Sequence, residues 1–303
     1  MIRRILVPLD GSAMSEAILP EVVRLVRRRE SEVVLVSAEP PVVTEDSALI
    51  ATVAPEGATE YLLAIRERLE ARHVRARILE QRGTPTDVIL RVAREQRASM
   101  IAMATHGRTG LTRLILGSVA EEVLRRSPVP VFLVRPSSSY ELAKAVPEED
   151  PLRRILVPVD GSGLQGAVVP HALAFAKRFE ARVVLLRVLE PMFEKDTRGF
   201  EEELETARHA LREVAFAVAA AGVPCLTLLE EGGAAKTILS ITRAHEIDLI
   251  AMATHGRRGI SRLVSGSVTE EVLRDAPVPM LIVNGGRISR GRTPRSRERV
   301  SRR

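Results

Sequence analysis

Asp10-Gly11-Ser12 and Asp160-Gly161-Ser162 each follow an apolar run closed by a proline, Pro8 in one case and Pro158 in the other. Further along, I-A-M-A-T-H-G-R occurs unchanged at Ile101–Arg108 and at Ile250–Arg257. A Gly-Ser pair then follows after the same gap, Gly107 to Gly117-Ser118 and Gly256 to Gly266-Ser267. These residue types suit an anionic ligand. Glycine allows a phosphate to approach the backbone closely, and the unpaired N–H groups of a helix start attract anions, helped by the helix dipole. Arg108 and Arg257 directly follow the loop glycines and offer positive charge, while His106 and His255 could orient a phosphate or polarise water. Asp10 and Asp160 would repel phosphate, so a ribose hydroxyl or a bridging metal is the sensible partner for them. The same residues also have a structural explanation. Ser118-Val119-Ala120-Glu121 and Ser267-Val268-Thr269-Glu270 fit the S-x-x-E capping box, which accounts for both serines without a ligand. Spacing alone leaves both readings standing.

The elements that must position these residues also come in two copies. Each unit opens with R-R-I-L-V-P, at Arg3–Pro8 and Arg153–Pro158, a continuous apolar run of the kind buried on both faces of a parallel sheet. Helical stretches follow at Glu16–Arg28 and Ala167–Arg178; Pro20 and Pro170 inside them require a late start or a bend. Second strands are expected at Val33–Ser37 and Val183–Val188. Helical periodicity then returns, as in Leu204, Ala207, Leu211, Val214, Ala215 and Val218. Third strands (Val74–Leu79, Val223–Leu229) run toward Gly83 and Gly232, followed by helices at Asp87–Arg94 and Lys236–Arg243. Fourth strands (Met100–Ala104, Leu249–Ala253) enter the glycine loops. Last helices start at Ser118 and Ser267, and last strands follow Pro128 and Pro277. Strands alternating with helices predict an α/β fold of two tandem doubly wound domains, each with a five-stranded parallel sheet and four helices. The expected boundaries are residues 1–137, a polar proline-bearing linker at 138–152, a second domain at 153–284 and a tail at 285–303.

Composition bounds the function. The 303 residues are 45% apolar and 28% charged, ordinary for a globular chain, and no apolar run is long enough to span a membrane. With one cysteine, Cys225, no internal disulfide can form; Cys225 reads as a buried small hydrophobe, and the expected compartment is the cytoplasm. The net charge of +6 belongs to the tail. Residues 287–303 hold eight arginines against Glu298, leaving the rest of the chain at −1. Such a tail can attract nucleic acid weakly, but no aromatic or base-reading pattern accompanies it, and a solubilising extension is the simpler account. Neither the G-x-x-x-x-G-K-[ST] loop nor G-x-G-x-x-G after the first strand is present. Nor does the sequence show a catalytic set or metal-ligand spacing.

A strand ending in Asp-Gly-Ser, then A-T-H-G, then G-S and a final P-V-P strand resembles the universal stress protein family, over about residues 2–136 and 152–284. In the ATP-binding branch of that family the motif is G-x-x-G, nine residues, then G-[S/T]. The resemblance implies sheet order 3-2-1-4-5 and an adenine nucleotide, ATP, with Mg²⁺ held mainly through phosphate oxygens. It implies Pro8, Asp10, Gly11, Ser12, Ala104, His106, Gly107, Arg108, Gly117, Ser118 and Val119 around the nucleotide in the first half, with Ala38 beside the base. The second-half counterparts are Pro158, Asp160, Gly161, Ser162, Ala253, His255, Gly256, Arg257, Gly266, Ser267 and Val268, with Val188 beside the base. Both halves depart from the motif at its first glycine, which is Ala104 or Ala253 here. The implied role is a nucleotide-dependent regulator of the stress response. The alternatives are a nucleotide-free interaction module and a slow ATPase. The last strands, Val129–Val134 and Val278–Val283, are expected to meet within the chain, as an intramolecular pseudo-dimer, or across a homodimer.

Overall fold

The computed structural model describes residues 2–26, 31–39, 58–105, 116–136, 151–161, 165–190, 197–254 and 267–285. The first half comprises β1 (Arg4–Pro8), α1 (Ala13–Glu16), α2 (Leu19–Val26), β2 (Glu32–Glu39), α3 (Ala58–Glu70), β3 (Arg75–Arg82), α4 (Pro85–Glu95), β4 (Met100–Ala104), α5 (Ser118–Arg126) and β5 (Val131–Val134). The second comprises β6 (Arg154–Pro158), α6 (Gln165–Phe179), β7 (Arg182–Leu189), α7 (Thr197–Ala220), β8 (Cys225–Glu231), α8 (Ala234–Ala244), β9 (Leu249–Thr254), α9 (Ser267–Asp275) and β10 (Met280–Asn284).

Alternation of side chains along each strand creates two cores. Ile5 and Val7 of β1 face one side with α2, α3, α6 and α7, while Leu6 faces the other with α4, α5, α8 and α9. All three are fully buried, as a strand covered on both faces requires. Each half has the expected strand order 3-2-1-4-5. The ten strands form one sheet, β3-β2-β1-β4-β5-β10-β9-β6-β7-β8. Pairing is parallel within each half and antiparallel at the one join, β5 with β10. The last strands therefore meet within the chain.

That join is a local pseudo-twofold. Phe132 lies opposite Leu281, and these positions are 149 apart, the same offset that separates Ile101 from Ile250. Phe132 packs its ring parallel to that of Phe175 on α6, centroids 6.4 Å apart. Polar ties flank the seam. Arg178 donates to the Leu25 carbonyl and to Ser31 Oγ, both at 3.1 Å, Arg24 faces Asp248 at 3.7 Å, and Asn284 donates to the Arg125 carbonyl at 3.0 Å.

Four expectations need correction. The helix expected over Glu16–Arg28 is two helices, α1 and α2, so the described first half has five helical segments rather than four. Pro20 is the second residue of α2, a first-turn position where a missing N–H costs nothing. Its counterpart Pro170 lies inside an unbroken α6; the deprived carbonyl is that of Gly166, and both residues are exposed, so water can serve it. Cys225 is half-buried rather than buried, because β8 is an outer strand of the sheet; burial still pushes its thiol up. The last strand of the first half begins at Val131, because residues 127–129 form a bend braced by the Ser127 side chain. The fourth is the start of α5, whose cap is Gly117 rather than Ser118. The linker and tail fall mainly on residues outside those described.

Candidate functional site

The strand order reverses direction between β1 and β4, which are neighbours in the sheet. The chain leaves β1 toward the face carrying α2 and leaves β4 toward the opposite face carrying α5. A crevice at the carboxyl ends of two such strands is where open α/β sheets bind ligands.

On the β1 side, the Leu9 N–H extends the ladder to the Val36 carbonyl at 2.9 Å, and then the chain turns through Gly11 at φ +82°. Asp10 Oδ1 accepts from the Ser12 N–H at 3.0 Å and from Ser12 Oγ at 2.6 Å. Ser12 caps α1 by accepting from the Ser15 N–H at 3.1 Å, and Ser15 Oγ donates back to the Ser12 carbonyl at 2.8 Å. The turn thus holds the Asp10 carboxylate in one orientation at the crevice. Gly161 repeats the turn at φ +76°, beside an exposed Asp160. A left-handed φ at this point is why glycine stands here in both copies.

On the β4 side, Ala104 is buried, and Thr105 is buried with its N–H bonded to the Val134 carbonyl at 2.9 Å. The Gly117 N–H donates to the Thr105 carbonyl at 2.8 Å, tying the start of α5 to the end of β4. Gly117 itself is the N-cap, with extended backbone (φ −66°, ψ 148°) and no side chain to cap with. Its carbonyl accepts the first helical bond, from the Glu121 N–H at 2.9 Å. Ser118 is consequently the first helical residue, and exposed, so the capping-box expectation fails by one position. The physical reason is the Thr105–Gly117 bond, which sets the extended residue at 117. The N–H groups of Ser118, Val119 and Ala120 have no partner among the described residues.

The structure therefore brings Pro8, Asp10, Gly11, Ser12, Ala104, Gly117, Ser118 and Val119 to the carboxyl edge of the first half. Ala38 lies at the end of β2, against the second core. Pro158, Asp160, Gly161, Ala253, Ser267 and Val268 take the corresponding places in the second half, with Val188 at the end of β7. His106, Gly107, Arg108, Ser162, His255, Gly256, Arg257 and Gly266 lie outside the described residues. Among the described residues no three His, Cys, Asp or Glu side chains gather as metal ligands, and no helix is long and apolar enough to cross a membrane.

Two residues at the site escape sequence reading. Tyr61 of α3 is half-buried near the Asp10–Glu16 turn, and only the packing of α3 reveals this. Burial first, then the negative charge of Glu16, with a further push from Asp10, raises its phenol above the usual range. Unfolded tyrosine loses its proton near pH 10, so the folded state keeps a proton that the unfolded state sheds. Stability is expected to be whole below about pH 10 and to fall as pH rises above it. Thermal melts from pH 8 to 11 should show this decline, and Tyr61→Phe should flatten it; an equal decline in the variant would assign the loss elsewhere. The second residue is Arg187 of β7, whose sequence signal is a lone charge inside V-V-L-L-R-V-L.

A model of the universal stress protein family matches residues 1–135 and again 151–284. A universal stress protein of Methanocaldococcus jannaschii is 30% identical over 161 residues, covering 50% of this chain and 95% of its own length. In three dimensions, a universal stress protein from Archaeoglobus fulgidus DSM 4304 superposes with a TM-score of 0.69 over 94% of this chain and 97% of its own, at 22% identity. A functionally unknown protein from Pseudomonas aeruginosa PAO1 superposes with a TM-score of 0.67 at 18% identity, over 93% and 92% of the two chains. At those identities the structural likeness speaks for the fold, and the doubled family match speaks for descent. The chain belongs to the universal stress protein family, as a tandem member carrying the domain twice.

Proposed function

We propose that this protein binds an adenine nucleotide, ATP, at the carboxyl ends of strands one and four in one or both halves, and acts as a nucleotide-dependent regulator in the cytoplasmic stress response. The observation that carries the reading is the start of α5. A glycine N-cap leaves the N–H groups of Ser118, Val119 and Ala120 without a partner among the described residues, beside the β1–β4 crevice. Those donors and the helix dipole suit phosphate. Asp10, fixed by its turn across the crevice, suits a ribose hydroxyl. Ala38 and Val188 offer apolar contact to a base, and Gly107, Arg108, Gly256, Arg257 and Gly266 would complete the phosphate loops, with Mg²⁺ held on phosphate oxygens. The bound nucleotide acts by favouring one packing of the halves, or of two chains, over another.

The first test is the nucleotide content of freshly purified protein, released by denaturation and resolved by chromatography, together with thermal melts in millimolar Mg-ATP. Bound adenine nucleotide is expected. Saturation at 100 times Kd should add roughly 2.7 kcal/mol per site. Protein that carries no nucleotide and shows no thermal shift would instead support a nucleotide-free interaction module.

A further inference from the structure

The two candidate sites are not equivalent, and the difference lies at the ends of their second strands. Val36 pairs with Pro8 as Leu186 pairs with Pro158, so the residues that follow occupy matching places. They are Ser37-Ala38-Glu39 in the first half and Arg187-Val188-Leu189 in the second. Arg187 lies over the carboxyl end of β6. Its Nη1 donates to the Val159 carbonyl at a long 3.4 Å, and a Cβ placed on Gly161 would lie 3.7 Å from that nitrogen. Its Nε is buried without a hydrogen-bond partner, and no ion pair engages it among the described residues. A guanidinium has five N–H donors in a rigid fork matched to phosphate. Here one weak bond uses a fraction of that capacity, directly beside the Asp160–Gly161 turn. The first half has a serine hydroxyl at the matching place, and Glu39, two residues on, lies opposite Arg82 of β3.

We propose that the second half takes a nucleotide carrying a phosphate on its ribose, at the 2′ or 3′ oxygen, and that Arg187 is the residue that selects it. This rests on the nucleotide reading above, in which the Asp-Gly turn faces the ribose. In dinucleotide-binding sheets the carboxylate that takes free ribose hydroxyls lies about 20 residues past the first-strand turn, and a nearby arginine accommodates a ribose 2′-phosphate instead; Arg187, in the second strand, stands on that side of the Asp160–Gly161 turn. The first half has the carboxylate alone and takes the unmodified ribose. The second half has both, and the arginine supplies the charge-assisted donors that a second phosphate requires.

The test uses the full chain with Gly117→Glu closing the first half, titrated calorimetrically with 5′-AMP, adenosine 2′,5′-bisphosphate and adenosine 3′,5′-bisphosphate. At least one bisphosphate is expected to bind about tenfold more tightly than 5′-AMP, the size of one charge-assisted hydrogen bond. Arg187→Ser should erase that preference, Arg187→Lys should retain part of it, and 5′-AMP serves as the reference that lacks the selected group. Thermal melts report whether each variant is folded. Equal affinities for the three ligands, or an equal loss for all three in Arg187→Ser, overturns the selection. Failure of all three ligands to bind an unmodified chain that binds ATP overturns the selection alone, whereas failure of ATP as well overturns the nucleotide reading and the selection with it.

Discussion

Phe132→Ala is expected to destabilise the protein by about 3–5 kcal/mol, the largest single effect on stability foreseen here. Phe132 is fully buried, sits opposite Leu281 at the centre of the β5–β10 join, and stacks on Phe175 from the other half. Its removal leaves a cavity between elements of two halves, β5, whose backbone is held in the sheet, and α6, packed on it. A loss of that size is a fifth or more of the stability of a typical domain. Urea unfolding followed by circular dichroism should show a lower midpoint. The partner substitution Phe175→Ala should also destabilise, and the double variant should lose less than the sum of the two, because the ring–ring contact is removed once. A loss below about 1 kcal/mol for Phe132→Ala would mean that the seam contributes little to holding the halves together.

The second large effect concerns binding. Gly117→Glu is expected to weaken ATP binding in the first half by at least about 100-fold, with the fold retained. Retention follows from the backbone, since φ −66° and ψ 148° are open to any residue. A carboxylate at a helix start is also compatible with the dipole. The loss follows from the same geometry, since the new carboxylate would occupy the donors of Ser118, Val119 and Ala120 and repel phosphate. Gly266→Glu is the corresponding change in the second half. Measuring ATP affinity and melting temperature for each variant and for the pair assigns the binding to one half or both. A folded Gly117→Glu protein with unchanged ATP binding, alone and combined with Gly266→Glu, would remove the helix start from the site.

Much of the fold was legible because its signals are local and occur twice. Ile5-Leu6-Val7 and Ile155-Leu156-Val157 are apolar on both faces and bounded by proline and glycine, which marks interior parallel strands without any knowledge of neighbours. The Gly-Ser pairs mark helix starts, and Asp10-Gly11-Ser12 marks a tight turn, because φ near +80° calls for glycine. These short-range rules hold wherever the segment sits. They placed the candidate site at the carboxyl ends of strands one and four before any contact was known.

What only the tertiary structure decided are the choices that local rules leave tied. S-x-x-E reads as a cap at Ser118, whereas the bond from the Gly117 N–H to the distant Thr105 carbonyl goes with a cap at Gly117. Val131–Val134 could pair within the chain or with another copy; the β10 register and the packing of Phe132 on Phe175 pair it within. Arg187 reads in sequence as one charge in an apolar strand, and its place beside Gly161 exists only because β6 and β7 end together. In each case the deciding partner lies far along the chain, and its effect is exerted only once the sheet has brought the two together.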